Sequence, residues 1–229
     1  VDEKIKPVVQ EKFKVIRDHY NELTIAFKKH YSLVFRAYDN GVAYRFETNI
    51  KGKIEIVSEE VTFNFADGNS IYFPEEHEFQ SHNERKYLHM QLDTMSSGRL
   101  ASLPVLIATK GPKVLIAESA LKDYPGMWVK TGEKNTLNAT FPKYALEDQF
   151  KGKSDRNVIV TKKANYIAKV DGKRTFPWRI LAIAKEDADL ITNQLVYQLG
   201  EKQQIKGTSW IKPGKVAWDW WNALNVYGV

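Results

Sequence analysis

Along most of this chain apolar and polar residues alternate with a period of two. Leu23, Ile25 and Phe27 share one face of a run, and Val42, Tyr44 and Phe46 share one face of the next. Between them stands Asp39-Asn40-Gly41, a hairpin signal, because Asn and Gly tolerate the backbone angles that a tight turn between strands demands. The alternation continues through Ile54 and Ile56, through Val61, Phe63 and Phe65, and past Asp67-Gly68 through Ile71 and Phe73. LPVLIATKGPKVLIAE, Leu103 to Glu118, predicts two buried strands around Lys110-Gly111-Pro112. Further strands are predicted over Val158 to Val160, Tyr166 to Val170 and Phe176 to Ala184. The last is almost continuously apolar, as a central strand covered on both faces must be. Many short strands with no helix between successive ones predict a mainly β fold, an antiparallel sandwich, since βαβ units need a helix at each crossover.

One segment departs from this period. Between Lys185 and Leu199 an acidic first turn is followed by Leu190, Ile191 and Leu195 at helical spacing, with Gly200 placed as a stop. The polar stretch Gly200 to Gly207 then reads as a linker, which divides the chain into residues 1–199, 200–207 and 208–229. Beyond it the sequence becomes strongly aromatic: Trp210, Trp218, Trp220 and Trp221 are four of the six tryptophans. A chain terminus is normally polar and poorly ordered, so this segment reads as the edge of a larger core.

Composition narrows the function classes. With 229 residues, 43% of them hydrophobic, the chain can bury a substantial core. The net charge of +6 comes from lysines that alternate with apolar residues and are interspersed with Glu and Asp. That is the pattern of a solvated sheet face, and no nucleic-acid partner is expected. No apolar run approaches the roughly 20 residues that cross a bilayer, so no membrane span is expected. VDEKIKPVVQ at the start lacks the apolar region of a signal peptide. Cysteine is absent, which excludes disulfides and thiolate metal sites.

Catalytic motifs are correspondingly scarce. His77, His82 and His89 lie in a polar, loop-like stretch without the spacing of a zinc motif, and no phosphate-binding glycine loop or nucleophile elbow occurs. Glu118 stands out: it ends the apolar run VLIA and precedes a turn at Pro125-Gly126 flanked by Tyr124 and Trp128. A carboxylate beside aromatic rings suits sugar hydroxyls or a hard cation; equally, it suits a structural cap for the turn beginning at Ser119. Trp218, Trp220 and Trp221 could stack on sugar, but at least two of them fit core packing better, because a buried parallel strand covers residues on both faces. Asp219 within that run reads as a supporting partner.

DNGVAYRF (Asp39 to Phe46), DYPGMW (Asp123 to Trp128), RTFPWRILAIA (Arg174 to Ala184) and TSWIKPGKVAWDWWN (Thr208 to Asn222) resemble glycoside hydrolase family 97, in order from about Ile16 onward. The resemblance implies a galactose-mutarotase-like β-super-sandwich joined to a catalytic (β/α)8 barrel, with the WDWWN segment entering the first barrel strand. It further implies that the sandwich begins before Val1 and that the barrel continues beyond Val229. The catalytic carboxylates would then stand at barrel strand ends outside this chain, so no catalytic residue is expected within it. The parent enzyme is expected to cleave α-glucosidic bonds of oligosaccharides at the non-reducing end, in the periplasm, with Ca²⁺ at its active site. An α-galactosidase of the same family is the near alternative, and a non-catalytic carbohydrate-binding sandwich the distant one. By the same resemblance Glu118 is the Ca²⁺ ligand that the sandwich lends, and Asn138, within Asn135 to Phe141, is the substrate-binding residue. A single carboxylate would hold Ca²⁺ weakly without the barrel's oxygens, since the ion takes about six to eight donors. The expected partners are the oligosaccharide and the chain's own barrel.

Overall fold

The computed structural model describes residues 1–153 and 157–215. A small pair, β1 (Asp2–Ile5) and β2 (Ile16–His19), leads into β3 (Asn21–Phe27), β4 (Tyr31–Tyr38) and the long β5 (Gly41–Ile56). Next come β6 (Thr62–Asn64), β7 (Ser70–Phe73), β8 (Glu75–Glu76), β9 (Leu88–Gln91), β10 (Leu100–Ala101), β11 (Val105–Ala108) and β12 (Lys113–Ser119). Then follow β13 (Trp128–Thr131), β14 (Thr136–Thr140), β15 (Ala145–Phe150), β16 (Val158–Lys163), β17 (Ala168–Thr175) and β18 (Trp178–Ala184). Two short helices close the series, α1 (Asp187–Thr192) and α2 (Leu195–Gln198).

Two antiparallel sheets form the sandwich. The larger has nine strands in the order β3-β4-β5-β18-β12-β11-β7-β9, with β17 also paired to β5; the smaller has five, in the order β6-β14-β13-β10-β8. Every pairing within them is antiparallel, as the alternation predicts. Phe73, Ile107 and Ile116 of the large sheet meet Val129 and Leu137 of the small one in the principal core. Asp67-Gly68 lies between β6 and β7 and so carries the chain from one sheet to the other.

Several sequence expectations hold in detail. Asp39 and Asn40 form a two-residue connection, with Tyr38 paired to Gly41. Gly41 is required there, because a Cβ would come within 2.5 Å of the Leu181 carbonyl oxygen and of Leu195 Cδ1. β18 is central, flanked by β5 and β12, and it is buried on both faces over Trp178 to Ile180. The long β5 serves two partners on one edge, β18 along Gly41–Tyr44 and β17 along Glu47–Ile56.

The single helix expected over Lys185 to Leu199 is broken in two. Glu186 and Asp189 form a reciprocal capping box at the start of α1, but Asn193 turns to extended geometry. Its side chain accepts a hydrogen bond from the Leu195 amide at 3.0 Å and donates one to the Asn40 carbonyl at 3.2 Å. Such side-chain bonds offer the backbone an alternative to a continued helix. Leu195 is fully buried while Ile191 is 64% exposed, so the apolar stripe is narrower than the spacing implies. Leu195 and Leu199 cover Val34, Ala43, Ala117, Ile180 and Ala182 on the outer face of the large sheet. The shared face of Leu23, Ile25 and Phe27 is exposed, because among the described residues no buried cluster includes a β3 side chain.

No helix or strand follows α2 among the described residues. The predicted barrel strand, with Trp218, Asp219, Trp220 and Trp221, lies outside them. No described helix is long and apolar enough to cross a membrane.

Leu195→Ala removes the plug that seals α2 against the sheet. It is expected to cost about 2–5 kcal/mol, the range for deleting a buried leucine, read as a lowered urea midpoint with an unchanged slope. Ile191→Ala, at the exposed position, is expected to leave that midpoint within about 0.5 kcal/mol.

Candidate functional site

Glu118 is next to last in β12, and the period of two places it on the same face as Ile116, the core face. Directly across the ladder stands Arg179 of β18, whose other neighbour is Tyr44 of β5. Arg179 carries a positive charge into the centre of the large sheet with a side chain only 2% exposed. A buried charge must be paired and hydrogen-bonded, and it is. Its Nε and Nη2 donate to the two carboxylate oxygens of Glu59 at 2.8 and 2.7 Å, and its Nη1 donates to Glu118 Oε2 at 2.7 Å. The Tyr124 hydroxyl donates to Glu59 Oε2 at 3.0 Å. The Phe141 ring centre lies 5.2 Å from the guanidinium carbon, close enough for a cation–π contact.

The loop after β12 folds back over this cluster. Ala120 and Asp123 adopt positive φ of 57° and 49°, which turns the chain so that the Met127 amide donates to Glu118 Oε2 at 3.0 Å. Gly126 permits the approach: a Cβ there would stand 3.1 Å from Glu118 Oε1. Oε2 thus carries two hydrogen bonds, whereas Oε1 has none among the described residues.

The electrostatics follow from this sharing. Burial pushes the Glu118 carboxyl above the usual carboxylate range, against the Met127 amide and Arg179, which favour the charged form. Burial works against the Arg179 charge too, but Glu59 and Glu118 outweigh it and raise its pKa. The guanidinium gives two of its bonds to Glu59, so Glu118 receives too little to offset desolvation. Tyr124 is raised by burial and by the Glu59 charge, and Tyr44, by the same two causes, is pushed up to about 12.

The other residues singled out in the sequence fall elsewhere. Leu137 and Ala139 of β14 face the core, so Asn138 points to the opposite side of the small sheet, where its Oδ1 accepts from Thr62 Oγ1 at 3.0 Å. Glu118 and Asn138 therefore stand on different faces of different sheets. Within Asn135 to Phe141 it is Phe141 that reaches the Glu118 cluster. Trp128 packs edge-on against Phe79, with ring centres 5.4 Å apart, and leaves the site to Tyr124. His89 stacks on Tyr72 at 4.4 Å, and no group of three or more His, Cys, Asp or Glu with metal-binding geometry occurs among the described residues.

Sequence reasoning did not single out Arg179 or Glu59. For Arg179 a signal existed: a charge inside the apolar run FPWRILAIA predicts a buried partner. Glu59 lies in the polar stretch after β5, where nothing in the pattern separates it from Glu60.

Residues 1–201 match the family described as Glycosyl-hydrolase 97 N-terminal. A retaining alpha-galactosidase of Bacteroides thetaiotaomicron is 37% identical over 93% of this chain. A probable retaining alpha-galactosidase of Streptomyces bingchenggensis is 26% identical over 83% of it. The chain spans 34% of the first and 26% of the second. Among solved structures, a glycoside hydrolase family 97 enzyme variant from Pseudoalteromonas sp. strain K8 superposes with a TM-score of 0.71 at 22% identity, over 93% of this chain and 31% of that one. The chain belongs to the glycosyl-hydrolase 97 N-terminal family.

Arg179→Met is expected to destabilise the fold by about 3–5 kcal/mol at neutral pH, the cost of leaving buried carboxylates uncompensated. The loss should shrink as the pH falls and protonation neutralises Glu118, whose carboxyl is raised by burial. In the native chain Glu118 holds its proton more tightly folded than unfolded. Its contribution is therefore largest below the ordinary carboxylate pKa and declines as the pH rises through its raised value. Urea midpoints measured across that interval should fall less steeply in Glu118→Gln.

Proposed function

We propose that this chain is the N-terminal domain of a glycosidase that hydrolyses α-galactosidic bonds of oligosaccharides at the non-reducing end. The observation that carries this reading is the 37% identity to a retaining alpha-galactosidase over 93% of the chain. The α-glucosidic substrate expected from the sequence is the second reading. Its support is a structure of the Pseudoalteromonas enzyme in complex with acarbose, at 21% identity and a TM-score of 0.69. At that identity the likeness is one of fold, so the α-galactosidic reading is preferred. In neither reading does the chain supply the catalytic carboxyl pair, which in a retaining glycosidase stands about 5 Å apart across the bond.

The domain's contribution is Glu118. A carboxylate oxygen without a hydrogen-bond partner, held at a strand end, is a suitable hard donor for Ca²⁺. Oε1 fits that description, and Oε2 does not, because Arg179 and Met127 occupy it. Glu59 is likewise committed to Arg179 and Tyr124. The chain thus offers the ion one oxygen, and the barrel would provide the rest. Bound there, Ca²⁺ would act as a Lewis acid towards substrate oxygen. Glu118 would hold the ion through Oε1, with Arg179 fixing the carboxylate's rotation, and Tyr124 and Phe141 would exclude water from that side. Asn138 remains the proposed sugar contact of the outer sheet face, and a periplasmic location completes the reading.

The full-length protein should hydrolyse p-nitrophenyl α-galactoside with a kcat/KM at least about tenfold above that for the α-glucoside, and chelation should abolish the activity. Glu118→Gln should raise the Ca²⁺ concentration for half-maximal activity by about tenfold or more. A preference for the α-glucoside overturns the substrate, and activity indifferent to chelator overturns the role of Glu118.

A further inference from the structure

Glu118 keeps 17% of its side chain exposed. Its Oε1, which has no hydrogen bond, is not one of the sealed unpartnered atoms such as Glu76 Oε1, so it is both unmet and reachable. Nothing in Glu118 itself explains why only one of its oxygens is used. The two are chemically equal, and Arg179 stands directly across the ladder. A guanidinium presents its N–H donors in a rigid planar fork, and its strongest pairing with a carboxylate sets both oxygens against two nitrogens. As the only acid beside Arg179, Glu118 would be drawn into that pairing and Oε1 would be consumed.

Glu59 stands in the way. It lies in the irregular stretch between β5 and β6, where Glu60 is exposed and Glu59 keeps only 8% of its side chain in contact with solvent. Its two oxygens take the fork, Nε at 2.8 Å and Nη2 at 2.7 Å, and leave Glu118 the single bond from Nη1. The Tyr124 hydroxyl holds Glu59 from behind, donating to the same oxygen that Nη2 meets. The Tyr124 and Phe141 ring centres lie 5.9 and 5.2 Å from the guanidinium carbon and limit its swing. The direction of the guanidinium is thus set from the Glu59 side, while the Met127 amide anchors the Glu118 oxygen that is already bonded.

We propose that Glu59 is a positioning residue: by occupying the Arg179 fork it restricts Glu118 to one ion-pair bond and leaves Oε1 open to a cation. This rests on the reading of Glu118 as a Ca²⁺ ligand. Glu59 gives no oxygen to the ion and acts only through Arg179. The arrangement accounts for two buried acids against one cation. A single acid would neutralise Arg179, but it would be spent in doing so.

The test compares crystal structures and Ca²⁺ calorimetry of the full-length protein carrying Glu59→Gln or Glu59→Asp. Gln offers the fork one acceptor oxygen in place of two, and Asp keeps the charge while withdrawing the carboxylate by one methylene. In both variants Glu118 Oε1 is expected within about 3 Å of an Arg179 nitrogen. Ca²⁺ is expected to bind about tenfold more weakly, as when a partner that orients a metal ligand is lost. Tyr124→Phe, which leaves the fork occupied, should bind Ca²⁺ as the native protein does. Variants whose thermal midpoint falls while Oε1 stays free and Ca²⁺ binding is unchanged overturn the proposal, because Glu59 is then structural only. Weaker binding in Gln but not in Asp, with Oε1 free in both, traces the effect to charge and overturns it as well. Capture of Oε1 with Ca²⁺ affinity unchanged upholds the positioning role and overturns Glu118 as the ion's ligand, so the two readings fail separately.

Discussion

A guanidinium in the middle of a sheet obliges everything around it to answer its charge. Arg179 is nearly inaccessible, and its three bonded nitrogens are each met by a carboxylate oxygen. Those carboxylates come from segments distant in sequence, Glu59 after β5 and Glu118 in β12. The ion cluster therefore ties the irregular segment after β5 to the centre of the large sheet. It also determines which atom of the site remains available: an acceptor bonded twice is spent, and its geminal partner is not. Buried networks of this kind favour a single arrangement, because a half-satisfied alternative is worse than none.

The strands were legible because a sandwich writes its architecture in a period of two. β18 could be placed at the centre from its composition, since a strand covered on both faces has nowhere to put a polar residue except against a partner. The one exception, Arg179, was the most informative residue in that strand. Glu59 left no mark, because its role depends on where the chain after β5 falls in three dimensions, and alternation does not encode that. Glu118 was legible at a strand end beside a Pro-Gly turn. Asn138 was legible only in the resemblance and not in the alternation; in β14 it stands on the face opposite Leu137 and Ala139, away from Glu118. The helix was legible in kind and not in extent, because Asn193 satisfies the backbone locally and ends α1 early.

The two faces of the large sheet carry different chemistry because they are covered differently. The inner face meets the small sheet and excludes water, and its ionic groups are closed into a network. The outer face is covered partly by α2 and partly by Arg36 and Arg45, which stack on Trp178. Each of these guanidiniums forms an ion pair with one acid, Glu22 and Glu47 respectively, whereas Arg179 is shared between two.

β18 joins these environments through one peptide unit, Trp178–Arg179. Parity along the strand assigns the indole to one face and the guanidinium to the other, so the strand works as a commutator between two unlike surroundings. Insertion of a single residue between Phe176 and Trp178 would reverse that assignment and set an indole against two acids and a third guanidinium against Arg36 and Arg45. Length in the short connection from β17 to β18 is therefore constrained by electrostatics on both sides at once, and neither face can drift in register independently of the other.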